Sequence, residues 1–360
     1  MEELNTDFLL GFNYLYGKAL AEAKEVLRAC EHMLEQAGFE EIRPPVIVDY
    51  AHIVGETDRP VAPSNADLIF SLQAAEGEQG QRLALSYENT IPVCVYYVQN
   101  FAGTPSRVAR RFFYLSPHFR NERAAGIAPA HRLRQFTQVG FEIIGGESCD
   151  TLPAAIETGS TLLSGLGLHH SIRLSDVTLL SSVLRRLGLN AVERSTLRVI
   201  FDRRDAQAFE AFLARSPLDA KQRALLALLF FARGAAREEL GGLREWLQEN
   251  ELEDALVRLE RIDEVLGRLA PGIRRRAALD LSLVRTARMY SGIIFQFYFE
   301  AGEHECGGGG EYNRIIKALG GPDTMACGAA FGLERIVYEY STASRHGVAQ
   351  AAIPGAAPGR

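Results

Sequence analysis

The stretch FRNERAAGIAPAHRLRQFTQVGFE, from Phe119 to Glu142, has two arginine-rich ends, a flexible middle and then a strand-like run. Period two along Phe136–Ile144 puts Phe136, Gln138, Gly140 and Glu142 on one face, and Thr137, Val139, Phe141 and Ile143 on the other. The second set is a core face. The first carries an amide and a carboxylate on either side of a gap at Gly140. That pattern suits a pocket floor where a polar ligand approaches the sheet, and it equally describes the solvent side of an antiparallel sheet, the commoner cause of alternation. Nearby, Glu88 precedes Thr90, a candidate helix cap, and could hold an ammonium group, while Arg120 and Arg335 supply fixed positive charge from separate elements. A ligand with both an amine and phosphates would use all four. Each also has a plain reading: surface charge for Glu88, a cap for Thr90, acidic partners for the arginines.

CGGGGEY (306–312) leaves the backbone free to approach a ligand or to adopt positive φ. It matches neither the P-loop nor the dinucleotide fingerprint, and a tight strand-to-helix turn explains it as well.

Elements must position these residues. Leu20, Ala23, Leu27, Cys30 and Leu34 recur at steps of three and four, which predicts a helix ended by Gly38. FEEIRPPVIV predicts a strand interrupted by Pro44-Pro45, hence an edge or a subunit contact. RLALSY, RRFFYL, FTQVGFEII, HHSIRLSD, AALDLSLVR and SGIIFQFYFE predict further strands. Thr90 with Pro92 opens a helix, and the end of HHSIRLSD can cap the next one. Residues 190–271 turn rich in Leu, Ala, Arg and Glu with helical patterning, so they are expected to form a helical insertion. It would divide a core of 1–189 and 272–342, with a disordered tail at 343–360.

The bulk properties exclude more than they select. A chain of 360 residues suggests about two domains, and 47% hydrophobic content describes a globular protein. A net charge of −6 argues against nucleic-acid binding over the whole surface. Five scattered cysteines without a CxxC suggest neither a disulfide framework nor a zinc site, and a reducing cytoplasm fits. The N-terminus lacks the features of a signal peptide, and no apolar run approaches the ~20 residues that span a bilayer.

In their order, these segments resemble the catalytic core of class II aminoacyl-tRNA synthetases, specifically the histidyl-tRNA synthetase family and its paralogue, the regulatory subunit of ATP phosphoribosyltransferase. EEIRPPVI resembles motif 1, FRNER…RQFTQVGFE motif 2 and GAAFGLERI motif 3. The resemblance covers roughly residues 8 to 342 and implies an α+β fold, an antiparallel sheet flanked by helices. It implies phosphate-holding roles for Arg120 and Arg335, and a place near adenine for Glu122. SYENT is similar to the family's RPEGT, which makes Glu88, Thr90 and nearby Gln138 expected contacts of a histidine amino group. Glu142 matches the carboxylate facing the imidazole. LVRTARMYSG is similar to LVRGLDYYTG, implying a catalytic role for Arg285, if the chain is an enzyme, and an imidazole contact for Tyr290.

Departures redirect the expectation. The synthetases continue after motif 3 with an anticodon-binding domain, whereas a short tail follows Arg335, so transfer RNA is not expected as a partner. Thr286, Ala287, Arg288 and Met289 replace the family's Gly-Leu-Asp-Tyr, the motif 2 loop is longer, Glu311 replaces an arginine and Asn313 an aspartate. SIRLSDVTLLSSVLRRLGL and FDRRDAQAFEAFLARSPL resemble the regulatory subunit more closely. The resemblance then implies a non-catalytic subunit that pairs with the short-form catalytic chain, dimerises through motif 1, senses histidine and needs no cofactor. The alternative is an adenylate-forming enzyme using ATP and Mg to activate histidine or a related amino acid.

Overall fold

A computed structural model describes residues 11–54, 66–72, 82–103, 108–122, 133–146, 148–231, 240–283, 289–300 and 304–345. The strands are β1 (Glu40–Glu41), β2 (Ile47–Asp49), β3 (Ser71–Leu72), β4 (Leu83–Leu85), β5 (Arg110–Phe119), β6 (Gln135–Ile144), β7 (His170–Asp176), β8 (Ala277–Leu279), β9 (Ile293–Phe299), β10 (His304–Glu311) and β11 (Ala326–Gly332). The helices are α1 (Gly17–Gln36), α2 (Tyr50–Val54), α3 (Thr90–Phe101), α4 (Ser148–Gly165), α5 (Val177–Arg186), α6 (Ala191–Arg203), α7 (Ala206–Arg215), α8 (Ala220–Phe231), α9 (Leu240–Glu249), α10 (Glu253–Arg268), α11 (Pro271–Arg274), α12 (Asn313–Ala318) and α13 (Leu333–Arg345).

Eight strands form the main sheet in the order β1-β5-β6-β11-β10-β9-β7-β8. The inner pairs are antiparallel, as expected, and the two outermost pairs, β1 with β5 and β7 with β8, are parallel. The sheet is therefore mixed. The expected single strand at FEEIRPPVIV is two strands: Pro44-Pro45 cannot donate to a ladder, and the chain leaves the main sheet after β1 and enters a small sheet, β2-β4-β3, at β2.

α1 buries Ala23, Val26, Cys30 and Leu34, and Gly38 ends it with a φ of +79° that other residues rarely adopt. Asp176 caps α5, accepting from the backbone of Thr178 at 2.7 Å and Leu179 at 3.2 Å. α6 opens on a capping box between Asn190 and Glu193.

One face of the sheet packs Phe113, Val139, Phe141, Ile143, Phe295 and Phe297 into a buried cluster that also takes in Leu197, Phe201, Leu226, Leu259 and Ile262 of the helices between 190 and 271. The expected helices are there, and their core is continuous with that of the sheet. α3 and α12 cover one end of the opposite face, closing over Phe112, Tyr114, Ile144 and Tyr312. α13 continues three residues into the expected tail, and residues beyond Arg345 lie outside those described.

Candidate functional site

Register builds the floor of the site. Glu142 lies opposite Gly328, which lies opposite Gly310; Gly140 lies opposite Ala330, then Gly308 and Gln296; Gln138 lies opposite Gly332. The middle of this face therefore carries nothing larger than a methyl group. The sheet positions the expected Gln138 and Glu142 on one face, as period two requires, and both are buried. The solvent-side reading of this alternation fails at these two residues.

Two readings of glycine change. Gly307–Gly310 is neither a turn nor a stretch of positive φ: all four lie within β10. The gap at Gly140 is not open to a ligand, because the ring of Tyr114 fills it. A Cβ added to Gly140 would come within 2.2 Å of that ring. Gly328 likewise makes room for the Glu142 carboxylate, 1.8 Å from where its own Cβ would stand. Glycine here accommodates the pocket's own side chains.

Glu142 is the centre of the arrangement. Its Oε1 accepts from Thr90 Oγ1 at 2.9 Å and from the Tyr114 hydroxyl at 3.3 Å, and its Oε2 accepts from the Tyr312 hydroxyl at 2.5 Å. Burial pushes its pKa up to about 8; the three hydroxyls pull the other way, and the nearby Glu88 carboxylate adds to the rise. Tyr114 and Tyr312 were not anticipated. Tyr312 was within reach of period two, which carries the floor from Gly308 through Gly310 to residue 312. Tyr114 needed the β5–β6 register.

Glu88, not Thr90, supplies the cap of the helix that opens at Thr90. The Glu88 carboxylate accepts from the backbone N–H of Thr90 at 2.7 Å and of Ile91 at 3.1 Å, so it caps α3, while the Thr90 hydroxyl is spent on Glu142. Burial raises the Glu88 pKa, against these hydrogen bonds and the Arg120 charge. Behind it, Ser86 donates to Asn89 and Asn89 to Ser116, which sits opposite Gln138. The same strand carries His118, fully buried, with Nδ1 3.0 Å from the Ser116 carbonyl; burial lowers its pKa to about 3.

Arg120 follows β5 with its guanidinium 4.7 Å from the Tyr87 ring centroid and 5.1 Å from that of Phe136. Glu122, partly exposed, donates its backbone N–H to the Arg120 carbonyl at 2.7 Å. Arg335, in the first turn of α13, donates to the Glu305 carbonyl at 2.9 Å, and its Cδ would lie 3.7 Å from a Cβ on Gly332. Both expected phosphate arginines are thus at the Gln138 end of the floor. Tyr290 packs over Gly310, at the Glu142 end. Arg285 and its neighbours 284–288 lie outside the described residues.

Glu311 does not enter the site. Period two turns it to the core face, where it is buried and paired with Arg261 of α10, and its Oε2 accepts from the backbone of Ile293 at 2.9 Å. Asn313 is structural as well, accepting from the backbone of Ala326 at 2.8 Å. Among the described residues, no group of three or more His, Cys, Asp or Glu could hold a metal ion.

A profile of the family described as "Histidyl-tRNA synthetase" matches residues 11–336. Histidine--tRNA ligase of Methanocaldococcus jannaschii is 26% identical over 308 residues, 85% of this chain and 68% of the ligase. The ATP phosphoribosyltransferase regulatory subunit of Thermus thermophilus is 28% identical over 314 residues, 87% of this chain and 78% of that subunit. Among solved structures, an ATP phosphoribosyltransferase regulatory subunit/histidyl-tRNA synthetase from Bacillus halodurans superposes with a TM-score of 0.76 at 19% identity, covering 93% of this chain and 83% of that one. A histidine--tRNA ligase subunit from Alicyclobacillus acidocaldarius superposes with a TM-score of 0.77 at 22% identity, covering 94% of this chain and 98% of that one. At these identities the two structures show the fold, that of a class II aminoacyl-tRNA synthetase.

Proposed function

The chain belongs to the histidyl-tRNA synthetase family, and from that premise we propose that it is a regulatory subunit of ATP phosphoribosyltransferase that binds histidine on the floor of its sheet. The observation that carries the ligand is the buried Glu142 carboxylate with its three hydroxyl partners, a site that can hold a ring nitrogen. The regulatory role rests on the Thermus relative of that name. The partner is the short-form catalytic subunit, whose action supports the first step of histidine biosynthesis, and histidine is the feedback effector. A coupling of about 1–3 kcal/mol between this site and the partner's active site gives 5–150-fold control. This role needs no cofactor. Val46 and Ile47, exposed beside Pro44-Pro45, support a homodimer through motif 1. The helical insertion at 190–271 within a core of 1–189 and 272–342, and a cytoplasmic setting, belong to the same proposal; among the described residues, no helix is long and apolar enough to cross a membrane.

A second reading is favoured by Arg120 and Arg335 standing at the same end of the floor. They suit the phosphates of ATP with Mg in an enzyme that adenylates histidine or a related amino acid, with Arg285 as its catalytic arginine and Glu122 near adenine.

One pair of assays separates the readings. The regulatory subunit gives a short-form ATP phosphoribosyltransferase catalytic chain its activity and its inhibition by histidine, and supports no histidine-dependent ATP–pyrophosphate exchange alone. Robust exchange by the isolated chain, with no effect on the catalytic chain, overturns the regulatory reading.

A further inference from the structure

A carboxylate offers about four lone-pair positions, two on each oxygen. In Glu142 both positions of Oε1 are used, one by Thr90 at 2.9 Å and one by Tyr114 at 3.3 Å, and Tyr312 uses one of the two on Oε2 at 2.5 Å. Among the described residues, one acceptor position is left, on Oε2. Tyr114 is the member of this set whose place is most tightly imposed: it is 1% exposed and lies over Gly140, where any side chain would collide with its ring.

We propose that Tyr114 is a specificity-determining residue, which by occupying Oε1 limits Glu142 to a ligand that presents a single N–H donor, an azole ring and not a guanidinium. The proposal rests on the histidine-binding reading of this site and adds to it the reason why a doubly donating side chain is refused. A guanidinium binds a carboxylate through two parallel N–H bonds, one to each oxygen. With Oε1 full, only one of those bonds can form, and the second N–H is buried without an acceptor. An imidazole makes one bond to Oε2 and loses nothing. Removing the Tyr114 hydroxyl frees one position on Oε1, so that each oxygen then has one, the arrangement a guanidinium needs.

The test is calorimetric titration of histidine and arginine into the full chain and its Tyr114→Phe and Glu142→Gln variants. Tyr114→Phe keeps the ring over Gly140, and a thermal melt checks that the variant is folded. We expect the unaltered chain to prefer histidine, and Tyr114→Phe to narrow the histidine-to-arginine affinity ratio by about tenfold, the scale of one hydrogen bond to a charged group. Carbon-13 NMR of the Glu142 carboxyl supplies a readout that packing alone does not move: losing a donor to the carboxylate shifts its titration to higher pH. An unchanged ratio in Tyr114→Phe, with histidine binding abolished by Glu142→Gln, overturns the role of Tyr114 and leaves the site reading standing. Equal affinity for the two amino acids in the unaltered chain does the same. Binding of neither amino acid overturns the site reading and the proposal together.

Discussion

The Tyr312 hydroxyl donates to Oε2 of Glu142 across 2.5 Å, joining residues 170 positions apart, one just past the end of β10 and the other on β6. Burial raises the pKa of this acid to about 8 against the pull of its hydroxyl donors, and a cationic ligand group beside it would favour the ionised form.

The folded-state pKa of Glu142 is raised from 4.5 to about 8, so the stability from keeping this carboxyl protonated is present in full below about 4.5 and is lost as pH rises through about 8. Thermal melts across that window should show the unaltered chain losing stability on the alkaline side relative to Glu142→Gln. Parallel curves for the two proteins would remove the assigned shift.

Glu88 caps α3 through the N–H groups of Thr90 and Ile91. Glu88→Ala should cost about 1 kcal/mol of stability, as the loss of a side-chain cap does. Urea denaturation measures it, and an unchanged midpoint contradicts the capping role.

Gly328→Ala drives a methyl group into Oε2 of Glu142 and the Phe141 carbonyl, 1.8 and 2.4 Å from the new Cβ. We expect a loss of about 1–3 kcal/mol from overpacking, with histidine binding abolished because the carboxylate is displaced. Chemical denaturation and calorimetry read the two effects separately.

Arg261→Met removes the charge that faces the buried Glu311. Leaving such a carboxylate without its partner costs about 3–5 kcal/mol, whereas the double variant Arg261→Met with Glu311→Leu should recover most of it. The denaturation midpoints of the two variants test this, and equal midpoints would deny the pair its role.

Much of the site was legible because period two sorts a strand's residues without knowledge of its neighbours: Gln138 and Glu142 share a face, and the interruption at Pro44-Pro45 is visible before any sheet is drawn. Register was not legible. Whether Gly140 faces a ligand or a ring depends on which β5 residue lies opposite, and the opposing residue is Tyr114. The capping role of Glu88 was hidden for a similar reason, since a carboxylate two residues ahead of a helix N–H competes with any threonine for the cap. The glycine run was ambiguous because free backbone serves a turn and a crowded strand alike, and only pairing with β9 and β11 decides between them.

Arg258 and Arg261, one turn apart on α10, reach two buried acids at the ends of separate strands, Asp176 at 3.7 Å and Glu311. For recombination between relatives this is a compatibility lock. The segment 190–271 cannot be exchanged as a cassette unless the incoming helix brings arginines at the same spacing or the recipient gives up both acids. The ancestry of these helices and that of the sheet beneath them are therefore bound together, and these four positions should change as a set or not at all.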